Sequence, residues 1–281
     1  ALTEGKVLKI HSGKYFVKAN GETVVCTAKG SLKIKSDGIV TGDNVKIENA
    51  VITEVCPRKN RFRRPNVANI DIIAVVIGKP PEPDFYLIDK LLGVCAMYGV
   101  EALLVVNKLD IGDETAARVE KNYSKAVKKI FRVSAKTGEG VEDLFSYISG
   151  KLTVFTGQSA VGKTSILNKI FNENRQTGEV SRKTERGKQT TTVAEIIEKD
   201  GAEIMDTPGF SSIDLSLAAD ELPHAFAEFL PYLGQCRFND CKHLNEPDCA
   251  IKNAVKAGLI EKERYLRYTE ILKEIQNGKK Y

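Results

Sequence analysis

The eight residues Gly157-Gln158-Ser159-Ala160-Val161-Gly162-Lys163-Thr164 constrain this chain more than any other stretch. They fit GxxxxGK[ST] in full, and they lie between an apolar run at 152–155 and a helical pattern that reaches 171. Such a loop needs a buried strand to launch it and a helix to receive it, so it demands an α/β sheet around itself. Its glycines let the backbone curl until N–H groups converge on phosphate oxygens. Lys163 adds a point charge between the outer phosphates, Thr164 offers a hydroxyl to Mg²⁺, and the helix that starts there, with Ser165 in its first turn, favours an anion at its N-terminus. The whole stretch from Gly157 to Ser165 is therefore expected to bind phosphate groups.

The surroundings agree. Apolar runs recur at 70–77, 102–106, 130–133, 193–197 and 203–205, with helical patterns at 85–98, 114–129 and 141–148. Strands alternating with helices mean a mostly parallel, buried sheet. Composition is that of a globular protein, 42% hydrophobic and 28% charged, which excludes wholesale disorder. No apolar run approaches the roughly 18–20 residues that span a bilayer, and residues 1–10 show no apolar core of a signal peptide. No membrane partner and a cytoplasmic location are expected.

Two short motifs at strand ends choose the base. Asn107-Lys108-Leu109-Asp110 follows the run at 102–106, and Ser134-Ala135-Lys136 follows the run at 130–133. The Asp110 carboxylate can accept from the ring N–H and the exocyclic amine that guanine presents together, a donor pair that adenine lacks. A mismatched base would leave that charge unsatisfied, at a cost of roughly 1–3 kcal/mol or more. Asn107 would tie this loop to the rest of the site, the Lys108 stem would lie along the base, and the Ala135 N–H would meet the guanine carbonyl.

Asp206-Thr207-Pro208-Gly209 follows the run at 203–205, and Thr190, Thr191 and Thr192 precede it. Asp206 is expected to hold Mg²⁺ through water, Gly209 to offer its N–H to the γ-phosphate, and one of the three threonines, with Thr191 favoured, to reach Mg²⁺. Lys163, Thr191 and Gly209 form the expected catalytic set. Ras-like enzymes carry a water-orienting Gln just after the glycine of this motif. Phe210 stands there and cannot hydrogen-bond a water, so slow intrinsic hydrolysis completed by a partner is expected. The order is also unusual. Small GTPases run phosphate loop, switch threonine, DxxG, NKxD, SAK; here NKxD and SAK come first, as in a circular permutation, a cut that chains tolerate where termini lie close at the surface.

Residues 1–65 read as five short strands with turn signals at Ser12-Gly13 and Asn20-Gly21, which suits a small barrel. They hold 13 Lys/Arg against 6 Asp/Glu, while the whole chain carries +5. That concentration fits an anionic partner such as nucleic acid, or simply a solvated basic face. The segment ends in a basic run, 58–64, around Phe62; with Pro65 it reads as a boundary, and Phe62, Tyr15 and Phe16 are candidate stacking groups, core packing being the better role for Phe16.

Residues 216–281 open with a helical stretch, pass through a cysteine-rich segment and end in a helical tail from about 250. Cys236-x4-Cys241-x-His243-x5-Cys249 puts four ligands within 14 residues. Cys₃His is a structural zinc set with no open position for catalysis, and a unit this small is too short to bury a sufficient core without a staple. Buried thiols, or a disulfide with a spare thiol, are the alternatives. His11 and His224 read as ordinary surface residues.

The permuted order, the GQSAVGKTS loop, the GKQTTT stretch, DTPGF and the CxxxxCxHxxxxxC cluster together resemble the bacterial ribosome small subunit-dependent GTPase A family, over essentially the whole chain. The resemblance implies a multidomain fold: an N-terminal β-barrel of the OB-fold type over 1–65, a central α/β phosphate-loop GTPase domain with permuted motif order over 66–215, and an α-rich zinc-binding C-terminal domain over 216–281. It implies GTP hydrolysis stimulated by the 30S subunit, a role in late 30S maturation through 16S rRNA, one structural Zn²⁺, and Mg²⁺ with GTP. One departure is that Gln189 stands where many members have His. A monomer is expected. The competing reading is an RNA-binding protein that uses GTP only as a conformational ligand.

Overall fold

The structure, a computed structural model, describes residues 2–33, 38–171, 194–206 and 217–278. The chain folds into two compact units. One comprises Ala1–Ile73, Glu142–Thr156 and Leu167–Ile213; the other comprises Ala74–Val141, Gly157–Ile166 and Asp214–Tyr281.

The first unit begins with the five strands read from the sequence: β1 (Thr3–His11), β2 (Lys14–Ala19), β3 (Glu22–Ala28), β4 (Asn44–Glu48) and β5 (Val51–Val55). They pair in the order β1–β2–β3–β5–β4, and β4 returns to β1, which closes a barrel of the OB type. Ser12-Gly13 and Asn20-Gly21 all have positive φ, between 50° and 84°, as the two-residue turns that match strand twist require. Val7, Val17, Cys26, Val45 and Ile52 fill the interior. Gly5 is needed because a Cβ there would lie 2.6 Å from Val17 Cγ1. A single helical turn, α1 (Gly30–Lys33), was not expected from the sequence.

The basic run differs from its reading as an open linker. Residues β6 (Arg61–Phe62) and β7 (Val67–Ala68) pair into a two-stranded ladder, and Phe62 is only 1% exposed, so it is no stacking platform. Arg58 is spent on the fully buried Asp43, with Nε to Oδ1 at 2.6 Å and a second nitrogen to Oδ2 at 2.9 Å. Arg61 bonds the Phe62 carbonyl and Asn66. A buried carboxylate must be paired, and that need draws Arg58 inward. Arg63 and Arg64 remain exposed.

The α/β elements follow in chain order as β8 (Ile72–Ile77), α2 (Phe85–Met97), β9 (Glu101–Val106), α3 (Glu114–Tyr123), β10 (Ile130–Arg132), α4 (Val141–Ile148), β11 (Leu152–Thr156), α5 (Lys163–Ile170), β12 (Glu195–Lys199) and β13 (Ala202–Asp206). In the first unit β13 pairs with β11 in parallel and with β12 antiparallel. The outer edge of β12 meets the barrel: Lys9 of β1 is in register with Glu195. Lys6 pairs with Glu203, Lys9 with Glu195 and Lys18 with Glu198, and the Thr41 hydroxyl donates to the Ala194 carbonyl at 3.1 Å. The barrel thus continues the sheet through the β12–β13 hairpin.

In the second unit β10, β9 and β8 lie side by side. Helix α3 stops at Tyr123, short of the expected 129, because Tyr123 turns inward and its hydroxyl donates to buried Asp89 at 2.6 Å. The C-terminal part opens with 3-10 turns at Leu222–Ala225 and Ala227–Tyr232 rather than a helix; Pro223 and Pro231 each lack the N–H that an α-helix would use. The tail then splits into α6 (Ala250–Lys256) and α7 (Lys262–Gln276), broken at Gly258, whose φ is +71°. Phe226, Phe229 and Tyr268 pack edge-on or tilted, with ring centroids 5.0–5.3 Å apart, as the centre of this core. Beside it Arg264, 1% exposed, bridges Glu228 and Asp89. No helix among the described residues is long and apolar enough to cross a membrane.

Candidate functional site

The loop 157–162 leaves β11 and enters α5 with a backbone that only its own residues tolerate. Gly157 has φ +132°, and a Cβ there would fall 2.2 Å from the Val76 carbonyl oxygen; Gly162 has φ +98°, and a Cβ would fall 2.3 Å from Asn107 Nδ2. Ala160 sits between them at φ +63°. The Lys163 ammonium arches back over the loop and donates to the carbonyls of Gly157 (2.7 Å) and Gln158 (2.6 Å). An ammonium has three donors, which leaves one for an anion. Burial lowers the Lys163 pKa, a cost that a bound polyanion would remove. Thr164 and Ser165, both half-buried, begin α5.

Asn107 stitches the site together. Its Nδ2 donates to the Val161 carbonyl at 2.9 Å, and its Oδ1 accepts from the Ala135 N–H at 3.0 Å. The Lys108 ammonium donates to the Ala160 carbonyl at 2.9 Å and to the Pro80 carbonyl, so its stem crosses between two loops. Asp110 accepts from the Ser134 hydroxyl at 2.7 Å, with the Lys136 ammonium 3.6 Å away. That hydroxyl, with smaller help from Lys136, holds the Asp110 carboxyl below its ordinary pKa despite the opposing effect of desolvation. An ionised, oriented acceptor can take both donors of guanine. The Ala135 N–H, expected to face the base, points at Asn107 in this structure. The structure therefore brings Asn107, Lys108, Asp110, Ser134, Ala135 and Lys136 into one cluster with the loop 157–163. The sequence reading missed the side chain of Gln158, which reaches to Glu82 and Asp84. The cue was present in Asp84, a helix-capping residue placed just before the helical pattern.

Asp206 ends β13. Thr190, Thr191, Thr192, Gln189, Gly209 and Phe210 lie outside the described residues.

Cys236, Cys241, His243 and Cys249 converge, with one ligand atom from each and all four atoms within 4.8 Å of one another. His243 Nδ1 lies 3.5 Å from Cys236 Sγ and 3.4 Å from Cys249 Sγ, and those two sulfurs are 3.9 Å apart. Ordinary Zn–S and Zn–N bonds at tetrahedral angles put sulfurs about 3.8 Å apart and sulfur and nitrogen about 3.6 Å apart. The group fits one zinc, and 3.9 Å is far too long for a disulfide. The Tyr265 hydroxyl donates to the His243 carbonyl at 2.8 Å and the Tyr268 hydroxyl to the Lys242 carbonyl at 2.9 Å, which fixes the ligand loop on α7. Burial keeps His243 below its ordinary pKa, in the neutral form that ligates.

The family model of the RsgA GTPase matches residues 55–216, and that of the RsgA N-terminal domain matches 4–54. The chain belongs to the RsgA GTPase family. Its activity is hydrolysis of GTP to GDP and phosphate. Relatives named small ribosomal subunit biogenesis GTPase RsgA support the RsgA assignment end to end. That of Caldanaerobacter subterraneus is 37% identical over 99% of this chain and 97% of its own length. That of Thermotoga maritima is 38% identical over 98% of each. Among solved structures, YjeQ from Thermotoga maritima is similar with TM-score 0.85 and 34% identity, covering 98% of this chain and 99% of its own. YloQ, titled a circularly permuted GTPase, gives TM-score 0.82 and 28% identity, covering 100% and 97%. The RsgA family thus accounts for the permuted motif order, the five-stranded barrel and the metal-ready C-terminal cluster.

Proposed function

We propose that this chain hydrolyses GTP on the small ribosomal subunit during its biogenesis, and that the subunit stimulates the reaction. The observation that carries the nucleotide reading is the Asn107 side chain, which joins the phosphate loop to the Ser134-Ala135-Lys136 loop through two hydrogen bonds. One residue thereby sets the distance between the phosphate end and the base end of a single ligand, GTP or GDP.

The roles follow from chemistry. The Gly157–Ser165 stretch cradles the phosphates, and Lys163 offsets charge that gathers on the outer oxygens as the terminal phosphoryl departs. Asp110 selects guanine, with Ser134 and Lys136 keeping it charged and oriented. Thr164, Thr191 and Asp206 supply hard oxygen donors suited to Mg²⁺, which would neutralise phosphate charge. Gly209 offers its N–H to the γ-phosphate. Phe210 leaves the attacking water without an orienting amide, so intrinsic turnover is low and a group completed by the subunit raises it. Of the basic run, Arg63 and Arg64 stay available for 16S rRNA, together with the barrel lysines that remain partly exposed. The names of the relatives support the small subunit as partner.

The test is phosphate release from GTP by the purified chain with and without 30S subunits, for wild type and Lys163→Ala. A rise on adding 30S that is lost in Lys163→Ala is expected. Equal turnover in Lys163→Ala would overturn the site. No rise with 30S would favour an RNA-binding protein that uses GTP as a conformational ligand.

A further inference from the structure

The second residue of the phosphate loop makes contacts that the phosphate-binding role does not require. The Gln158 side chain accepts from the Asp84 N–H at 2.9 Å through Oε1 and donates to the Glu82 carbonyl at 3.1 Å through Nε2. Partner chemistry fixes the orientation of this amide, because a backbone N–H only donates and a carbonyl only accepts. A primary amide of this reach is the side chain that satisfies both; a carboxylate would set oxygen against the Glu82 carbonyl, and a thioether would make neither bond.

The other end of this tether is rigid. Asp84 is the N-cap of α2, with Oδ1 accepting from the Leu87 N–H at 2.9 Å. Helix α2 is buried through Ile88–Cys95 and is clamped to α7 by Arg264 and Arg267 on Asp89 and by Lys90 on Glu274. The loop itself holds three residues at positive φ, Gly157, Ala160 and Gly162, so its shape must be imposed from outside. Lys108 and Asn107 hold its carbonyls at 160 and 161; Gln158 holds its start.

We infer that the Gln158 side chain is a positioning residue that locks the start of the phosphate loop to the N-terminus of α2 and so pre-shapes the loop for the phosphates of GDP and GTP. This rests on the reading of 157–165 as the phosphate cradle. The tie also places the nucleotide site on the helix that carries α7 and, through Tyr265 and Tyr268, the metal-ligand loop.

Gln158→Met and Gln158→Glu test it, measured by titration of a fluorescent GDP and of a non-hydrolysable GTP analogue, by steady-state hydrolysis and by thermal melting. Loss of two partly exposed hydrogen bonds is worth about a tenfold weakening of both nucleotides. KM rises by that factor with kcat nearly unchanged, and the guanine-to-adenine ratio stays at the wild-type value because Asp110 is untouched. Gln158→Glu is no better than Gln158→Met. Wild-type affinity in Gln158→Met, with or without a lower melting point, overturns the inference. Lys163→Ala separates the two readings: if it loses nucleotide while Gln158→Met does not, only the Gln158 role falls, and if both bind as wild type the cradle itself is misplaced.

Discussion

Replacing Arg264 by Met should be among the most damaging single changes in the chain, and its cost can be built from the contacts. Arg264 is 1% exposed and makes three short bonds: Nε to Glu228 Oε1 at 2.6 Å, one terminal nitrogen to Glu228 Oε2 at 3.0 Å, and the other to Asp89 Oδ1 at 2.6 Å. Its guanidinium also lies over the Phe226 and Tyr123 rings, 4.5 and 4.9 Å from their centroids. Burial by itself would lower the Arg264 pKa, but Asp89 and Glu228 more than offset it and hold the charge on. Met keeps much of the stem's packing and removes the charge. Asp89 then still has Arg267 and the Tyr123 hydroxyl, whereas Glu228 loses both of its bonds to Arg264. Breaking a buried ion pair on one side costs about 3–5 kcal/mol. Urea unfolding followed by far-UV circular dichroism should show the midpoint falling by about 1 M or more. The double variant Arg264→Met/Glu228→Leu no longer strands a carboxylate, and most of the loss should return. A single-variant cost below about 1 kcal/mol, or a double variant no more stable than the single, would refute the view that the network is a compensated buried charge cluster.

Four further outcomes are expected. Asp110→Asn should lower the preference for GTP over ATP by roughly tenfold or more, read by competition binding, since a charged acceptor of two donors is lost. Because the Ser134 hydroxyl depresses the Asp110 pKa, its charged form, and with it the base preference, is present above that depressed value and lost only as pH falls through it; the GTP-to-ATP affinity ratio should be flat from about pH 8 to pH 5. Purified protein should carry one zinc per chain by elemental analysis, and Cys249→Ala or a strong chelator should remove it and lower the melting temperature, with Lys163-dependent nucleotide binding as the control for global unfolding. Lys18→Gln should change stability by less than about 1 kcal/mol in urea, since its pair with Glu198 is partly exposed on both sides.

Much of this was legible because local chemistry and tertiary need agreed. β2, β3 and β4 fall where alternation and Gly turns put them, and the phosphate loop lies between the strand and helix that its motif requires. The cysteine spacing alone named the metal cluster. What escaped the sequence were features decided at long range. Arg58 looked like surface charge, but its partner Asp43 is a buried carboxylate 15 residues away. Phe62 looked like a stacking ring among arginines, yet pairing of 61–62 with 67–68 buries it. Pro223 and Pro231 sat in the open as helix breakers, and apolar periodicity outweighed them in the reading. Gln158 carried no local sign of its partners, because they lie 74 and 76 residues earlier in the chain.

The join between β1 and β12 has a mechanical meaning. The β12–β13 hairpin is bracketed in sequence by the two stretches assigned to sense the γ-phosphate, Thr190–Thr192 ahead of it and Asp206–Gly209 behind. The same hairpin bears the barrel along its free edge through Lys6, Lys9, Lys18 and Thr41. Whatever seizes the barrel therefore grips a lever whose two cables run to the nucleotide, and hydrolysis slackens both cables at once.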